Sequence, residues 1–246
     1  MRRNRGYGWV PDRPDQRDYL YKAIRPVVRL PEKVDLREFC SIVENQEALG
    51  SCTANALAGN LEYLDHKIDD EYDDVSRLFI YYNERVLEDT VDYDSGASLR
   101  DGIKTLRKQG ACWEKTWPYL IEKFTRKPPL KCYKEAKKHQ IESYHRIGAL
   151  SEMLTCLAEG YPFVFGFTVY ESFQSQKVAK TGVANMPRKK EKVLGGHAVL
   201  AVGYNQKQKR FIVRNSWGTK WGKNGYFTMP YEYLETLSAD FWTIRK

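Results

Sequence analysis

The spacing of apolar residues changes about half-way along this 246-residue chain. From Cys52 to Leu64 the apolar residues fall on one face of a helix. Ser76 and Ser98 each precede a further helical stretch that their side chains can cap, and the second stretch ends before Gly110. The second half instead contains runs typical of strands. A mainly helical half followed by a mainly β half predicts an α+β protein with two lobes and a cleft between them.

Five runs in the second half are rich in aromatic and β-branched residues, which is the composition of strands. They comprise residues 161–169, 197–204, 210–215, 225–229 and 241–244. Residues 1–30 have neither pattern and are rich in Arg, Pro and Tyr. We therefore expect an extended N-terminal arm before the globular part of the chain.

The formal net charge is +8, and the basic residues concentrate at Arg2, Arg3 and Arg5, at 123–138 and at 188–190. These runs lack the regular aromatic interleaving that stacks on bases, so a solvated basic surface is favoured over nucleic-acid binding. No apolar run approaches the roughly 20 residues that span a bilayer, and the N-terminus lacks the apolar stretch of a secretory signal. A cytoplasmic or virion-associated location is favoured over a secreted one.

Five cysteines stand at positions 40, 52, 112, 132 and 156. None forms a Cys-x-x-Cys pair, so neither a zinc site nor a thioredoxin-type motif is predicted. A reducing compartment would leave all five free and an oxidising one could pair four of them, a choice that the sequence leaves open. We expect neither a metal nor another cofactor.

Cys52 follows Gly50-Ser51 where the first amphipathic helix begins. A thiolate, rather than a thiol, is the nucleophilic form of cysteine, and a helix N-terminus stabilises the anion. A neighbouring imidazolium would stabilise it further and could protonate a leaving amine. These features make Cys52 a candidate nucleophile.

His197 is the best candidate for that imidazole. The other three histidines have charged or exposed-looking surroundings: His66, His139 and His145. His197 opens an apolar strand, where a histidine is more often a satisfied core residue, but the next strand ends at Asn215. A hairpin of these strands would bring the Asn215 amide to the imidazole, and Trp217 could cover the pair from water.

Gln46 precedes Cys52 by six positions on the same approach loop. Its amide NH₂ and the backbone N–H of Cys52 could together hold a developing oxyanion. Taken alone, Gln46 is better explained as an ordinary polar loop residue.

The segments around these residues, in this order, resemble the papain-like cysteine peptidases. They are Gln46 with Gly50-Ser51-Cys52, Gly-Gly-His-Ala-Val at 195–199 and Asn-Ser-Trp-Gly at 215–218. His197 and Asn215 lie 145 and 163 positions after Cys52, close to the roughly 130–150 positions typical of that family. Residues 31–37 resemble the start of a mature domain of this type and 222–227 its glycine-rich turn, so the resemblance spans about 31–246.

The resemblance implies that Cys52 is the nucleophile, His197 the acid and base, Asn215 the residue that orients the imidazole and Gln46 the oxyanion donor. It implies that substrate is bound by Gly96, Ala97, Gly196 and Trp217. The implied fold has a helical left lobe at about 31–140 and an antiparallel, barrel-like β lobe at about 141–246, with the active site between them.

The chain also departs from the family pattern. Thr53 stands where Trp is usual, and Leu49 where many members have a disulfide-bonded Cys. The sequence Leu-Gly-Ser-Cys-Thr-Ala-Asn-Ala at 49–56 looks closer to the divergent bacterial and large-virus branch. Only the arm at 1–30 stands in the place of the long inhibitory propeptide. Two interpretations of the arm stay open: a short latency segment that the enzyme itself removes, or a strap along the lobe surface.

The resemblance favours a monomeric enzyme that hydrolyses peptides or proteins, more as an endopeptidase than an exopeptidase, through a thioester on Cys52. Two alternatives stay open. One is a catalytically inactive homologue that serves as a binding module; the other is a peptide acyltransferase, since the dyad does not select water over an amine as acceptor.

Overall fold

The computed structural model describes residues 6–21, 29–70 and 72–246. Part of the predicted arm, including Arg2, Arg3 and Arg5, lies outside these residues. The seven α-helices in the described part are α1 (Cys52–Asp69), α2 (Arg77–Glu88), α3 (Leu99–Lys108), α4 (Leu130–Ala136), α5 (Leu150–Ala158), α6 (Gln176–Thr181) and α7 (Tyr231–Leu237). No helix in this part of the chain is both long enough and apolar enough to cross a membrane.

The three helices predicted from the first half are confirmed, and two of their starts follow from capping. The Ser76 side chain accepts the N–H of Phe79 to begin α2, and the Ser98 side chain accepts the N–H of Asp101 to begin α3. Helix α1 continues five residues beyond Leu64, to Asp69, because its final turn ends at Asp70 in the left-handed conformation.

The strands in the described residues form one antiparallel sheet of seven members. They are β1 (Lys33–Asp35), β2 (Ser143–Arg146), β3 (Phe163–Tyr170), β4 (Val193–Asn205), β5 (Arg210–Arg214), β6 (Tyr226–Pro230) and β7 (Ser238–Arg245). The order is β2-β7-β3-β4-β5-β6, and β1 pairs with β4. Strand β1 thus comes from the segment expected to open the helical lobe, yet its backbone belongs to the sheet.

Strand alternation divides the apolar residues between two cores. Val164 of β3 packs with the helices in one cluster, whereas its neighbours Phe163 and Phe165 pack in a second cluster on the opposite face of the sheet. Helix α1 packs against β4, so the first cluster joins the helices to the sheet. These layers agree with the expected α+β fold of two lobes and fix Cys52, at the start of α1, beside the sheet.

His139 differs from its expected exposure. Its basic neighbours Lys137 and Lys138 are exposed, but the imidazole is buried against the indole of Trp113, with ring centroids 3.7 Å apart. Burial lowers the pKa of His139. The basic neighbours conceal this burial in the sequence, because the short 3₁₀ turn after α4 exposes Lys137 and Lys138 and turns the next residue, His139, inward.

Candidate active site

Cys52 is the first residue of α1 and its side chain is fully buried. The loop before it is held by Tyr119, whose hydroxyl donates to the carbonyl oxygen of Gln46 at 2.9 Å and shares a 2.6 Å hydrogen bond with the Ser51 hydroxyl. The backbone N–H groups of Ala198, Gly8 and Thr53 favour the anionic form of Cys52 and so oppose the effect of burial on its pKa. The Ala198 contact brings the thiol to the residue that follows His197 on β4.

His197 and Asn215 meet as the predicted hairpin requires. Strands β4 and β5 pair, and Asn215 is the residue after β5. The His197 Nε2 and Asn215 Oδ1 atoms are 2.8 Å apart, and the ring of Trp217 stacks on the imidazole at 4.9 Å and 23°. Asn215 Oδ1 also accepts the backbone N–H of Ser216 at 2.9 Å, which identifies it as the amide oxygen. His197 Nε2 is therefore the ring nitrogen that donates to it.

Gln46 is fully buried and connects the loop of Cys52 to the segment after Asn215. Its Oε1 accepts the Ser216 hydroxyl at 2.5 Å, and its backbone N–H donates to the Ser216 carbonyl oxygen at 2.8 Å. Its Nε2 donates to the carbonyl oxygens of Leu49 at 2.9 Å and of Gly6 at 3.0 Å. The amide is thus fixed in direction, and one of its acceptors belongs to the N-terminal arm.

The arm lies in the cleft over Cys52. The backbone N–H of Ala97 donates to the Gly8 carbonyl oxygen at 2.7 Å, and that of Val10 to the Ala97 carbonyl oxygen at 3.0 Å. The N–H of Trp9 donates to the Gly196 carbonyl oxygen at 3.2 Å. The residues expected to hold an extended substrate backbone therefore hold the arm, which runs parallel to the strand segment at Ala97.

Glycines make this close approach sterically feasible. A Cβ atom at Gly8 would lie 1.7 Å from the carbonyl oxygen of Gly50, and one at Gly166 would lie 1.9 Å from the indole of Trp9. Gly96 faces the Gly8 carbonyl and has φ +72°. Backbone and indole surfaces can pack this tightly only where side chains are missing.

Two aromatic side chains of the arm enter the site. The Tyr7 ring lies 6.2 Å from the His197 ring and 6.4 Å from the Trp217 ring, both edge-on. The Trp9 Nε1 donates to Asp240 Oδ2 at 3.2 Å. The sequence analysis assigns no role to Tyr7, Trp9 or Asp240, although the Gly-Tyr-Gly-Trp run in a basic segment is a signal of a specific contact.

Comparison with known proteins gives the family. The family model described as papain family cysteine protease matches residues 30–237. The chain belongs to the papain family of cysteine proteases. Membership makes it a hydrolase and implies peptide or protein substrates.

Two similar proteins come from a virus and a bacterium, in agreement with the branch that the Cys52 segment suggested. An uncharacterized peptidase C1-like protein, L477, of Acanthamoeba polyphaga mimivirus is 43% identical over 99% of this chain and 88% of its own length. The crystal structure of xylellain, a cysteine protease from Xylella fastidiosa, superposes with a TM-score of 0.92 at 42% identity, over 100% of this chain and 98% of the other. Mouse pro-cathepsin H is 29% identical, and this chain spans 59% of its length.

A papain-family nucleophile usually has Trp after it, and the structure shows what replaces it here. The hydroxyl of Thr53 donates to Glu84 Oε2 at 2.8 Å, and both residues are fully buried. Burial raises the pKa of Glu84 well above its ordinary value, which favours a neutral carboxyl behind the nucleophile. Leu49, where many relatives have Cys, packs in the core of the helical lobe.

With the arm in place, Cys52 favours the thiol form. Burial raises the pKa of Cys52 to about 11, although the N–H groups of Ala198, Gly8 and Thr53 oppose the rise. The thiolate expected from the helix N-terminus is therefore disfavoured while Gly8 covers the sulfur.

Beyond the cleft, buried ion pairs hold the arm. The Asp18 carboxylate accepts Arg100 at 2.6 Å and Arg146 at 2.7 Å. Asp12 accepts the indole N–H of Trp242 at 2.8 Å, and its own N–H donates to Asp240 at 2.8 Å. The arm thus presents two carboxylates to the lobes: Asp18 to two guanidinium groups and Asp12 to an indole N–H.

Proposed function

We propose that this papain-family protease is an endopeptidase that uses Cys52 as nucleophile and His197 as acid and base. The observation that carries the proposal is that an extended peptide, the arm, already crosses Cys52 and is bound by the backbone of Ala97 and Gly196 and by the amide of Gln46. A substrate in the same cleft would present its carbonyl carbon to the sulfur.

The reaction follows from the hydrogen bonds of the imidazole. Because Nε2 donates to Asn215, proton exchange with the Cys52 thiol falls to Nδ1. The sulfur attacks the peptide carbonyl carbon, and the resulting imidazolium protonates the leaving nitrogen as the C–N bond breaks, which leaves a thioester. His197 then removes a proton from water, which attacks the thioester and releases the carboxylate product and the thiol.

Gln46 is suited to stabilise the negative oxygen formed in each attack. Its Nε2 donates to the Gly6 carbonyl oxygen, an uncharged oxygen of the same type. Its Oε1 is held by the Ser216 hydroxyl, so the donor does not have to reorient during the reaction. The backbone N–H of Cys52, at the start of α1, is the second donor that we assign.

Internal cleavage is supported by the way the arm continues on both sides of the nucleophile. Gly6 contacts Gln46 on one side of Gly8, and Trp9 and Val10 follow the cleft at Gly196 and Ala97 on the other. A long peptide can therefore extend in both directions past Cys52.

One experiment separates hydrolysis from the two alternatives. Peptides acetylated at the N-terminus and amidated at the C-terminus are incubated in H₂¹⁸O, with and without an added amine, and the products are weighed by mass spectrometry. Hydrolysis by an endopeptidase places one ¹⁸O in each new carboxylate. An acyltransferase gives an amide of the added amine without the label, and an inactive binding module gives no product even after the arm is removed.

Replacing Asn215 with alanine should reduce kcat/KM about 10- to 100-fold without abolishing cleavage. The variant loses one hydrogen bond to an imidazole that becomes charged during the reaction, and such bonds contribute about 1.5–3 kcal/mol. Initial rates on a fluorogenic peptide measure the effect. A loss of kcat/KM as large as that of Cys52→Ala would contradict a purely orienting role for Asn215.

We propose further that the described part of the arm acts as a latency segment rather than a strap. The support is that Cys52, His197 and Gln46 are each completely buried beneath or beside it. A strap that only stabilised the lobes would not need to occupy the amide of Gln46. The carboxyl groups at the docked arm also predict that docking depends on pH.

Docking of the arm should weaken as pH rises. In the docked state burial, and then the charge of Asp12, raise the pKa of Asp240 to about 6, and burial raises the pKa of Asp12, although Arg146 and Arg100 oppose these shifts. Because both pKa values exceed the ordinary value of 3.8 in the docked state, docking takes up protons. It is strongest below about pH 4 and is progressively lost as pH rises through 6.

The pH dependence of docking can be measured as a ratio, the activity of the full-length chain divided by that of a chain lacking residues 1–28. Titration of the catalytic groups affects both activities and therefore cancels in the ratio. We expect the ratio to rise about 10-fold or more between pH 4 and pH 7. Asp240→Asn should flatten the ratio, because the amide does not titrate. A wild-type ratio independent of pH would contradict the prediction.

A further inference from the structure

Two cysteines outside the catalytic site lie in the same small buried cluster. Cys112 and Cys132 are fully buried together with Phe79 and Ala136. Both are free thiols. Cys132 lies in α4, whereas Cys112 is placed by its carbonyl oxygen, which accepts the Ser76 N–H at 2.7 Å.

We propose that Cys112 and Cys132 form an intrachain disulfide when the protein meets a small-molecule disulfide such as oxidised glutathione. One cysteine thiolate attacks the small disulfide, forming a mixed disulfide and releasing one thiol. The second thiolate then attacks the protein sulfur of that bond and releases the second thiol. The protein loses two electrons and two protons, and the small disulfide gains both.

The other cysteines do not have this arrangement. The Cys156 thiol donates to the carbonyl oxygen of Tyr161 at 3.4 Å, and the Cys40 thiol donates to that of Leu36 at 3.7 Å. Cys52 is covered by the arm. Of the five cysteines, only Cys112 and Cys132 share one cluster of four buried residues, which places their side chains near each other.

The bond would close the loop of residues 113–131, which supports the active site. Tyr119 in this loop contacts the Gln46 carbonyl and the Ser51 hydroxyl, and the guanidinium of Arg77 stacks on its ring at 4.2 Å. Trp117 of the same loop accepts the Ser76 hydroxyl at 2.6 Å. A disulfide that fixes both ends of this loop would restrict the movement of Tyr119, which holds Gln46 and Ser51 in place before Cys52.

The rate of bond formation depends on opening of α4. Burial raises the pKa of both thiols, so neither is a ready nucleophile in the closed structure. Helix α4 has only seven residues and begins at the exposed Leu130. Local opening of so short a helix exposes Cys132, and exchange then takes minutes to hours.

The test uses the full-length chain in a Cys52→Ala background, which removes the catalytic thiol. The protein is equilibrated with reduced and oxidised glutathione, with and without sub-denaturing urea to open α4, and then digested without reduction. We expect a peptide pair joined through Cys112 and Cys132, a mass loss of about 2 Da and a Tm higher by about 5 °C than in dithiothreitol.

Cys132→Ala and Cys112→Ala should each abolish the joined peptides and the Tm shift, whereas Cys40→Ala, the matched control, should keep both. The proposal fails if, in urea as well as in buffer, both cysteines stay reduced or carry only glutathione. The assay measures no hydrolysis, so its outcome is independent of the proposed protease mechanism.

Discussion

Cys52→Ala is expected to lower kcat/KM for peptide hydrolysis by about 10⁴-fold or more, leaving only the weak rate that binding and oxyanion stabilisation supply. Cys52 is the first residue of α1, and its sulfur lies beside Ala198 of β4 and Gly8 of the arm. Without it no thioester forms, and the imidazole of His197 has no nucleophile to deprotonate. The measurement is the initial rate on an internally quenched peptide after removal of the arm.

Cys156→Ala is a matched control for this substitution. Both cysteines are buried, and burial raises the pKa of each to about 11. Cys156 lies on α5 at the opposite core and makes its contact with Tyr161 rather than with His197. We expect this variant to keep wild-type kcat. Cleavage retained by Cys52→Ala, or lost equally in both variants, would contradict the assignment of the nucleophile.

The proposed catalytic residues Cys52, His197 and Asn215 could be selected from the sequence because a local pattern marks the position of each. The helix that begins at Cys52 follows from apolar spacing, and the hairpin that joins His197 to Asn215 follows from two adjacent strands. The 2.8 Å hydrogen bond between these two side chains lies beyond the paired part of the hairpin, which ends at Leu200 opposite Arg214 and has a bulge between Ala201 and Gly203. Gln46 was ambiguous, since its role depends on a tertiary contact with Ser216.

The rest of the site could not be predicted because it depends on long-range packing. The arm has no periodicity, and its path is fixed by Trp9 reaching Asp240, which lies 231 positions later. The pairing of β1 with β4 and the burial of His139 against Trp113 are also set by residues distant in the chain. Helices α4, α6 and α7 are each seven residues or shorter, too short to show a clear apolar period.

Gly8→Ala is expected to raise the activity of the full-length chain about 10- to 100-fold on a short peptide substrate. A methyl group at this position would lie 1.7 Å from the carbonyl oxygen of Gly50, and backbone cannot yield as a flexible side chain can. Overpacking of this kind costs about 1–3 kcal/mol, which is a shift of about 10- to 100-fold toward the undocked arm. The substitution leaves Tyr21 and the rest of the arm in the chain, so it disturbs folding less than deleting residues 1–28.

The rate at which iodoacetamide alkylates Cys52, located by peptide mapping, gives a second readout that does not depend on substrate. Arg17→Ala is the matched control in the arm, because Arg17 is exposed and its ion pair is with Asp15 of the same segment. We expect it to leave both rates within about two-fold of wild type. If the arm were only a strap, Gly8→Ala would lower Tm while leaving activity and alkylation unchanged. A rise in both rates, with Arg17→Ala unaffected, requires that the arm controls access to the sulfur.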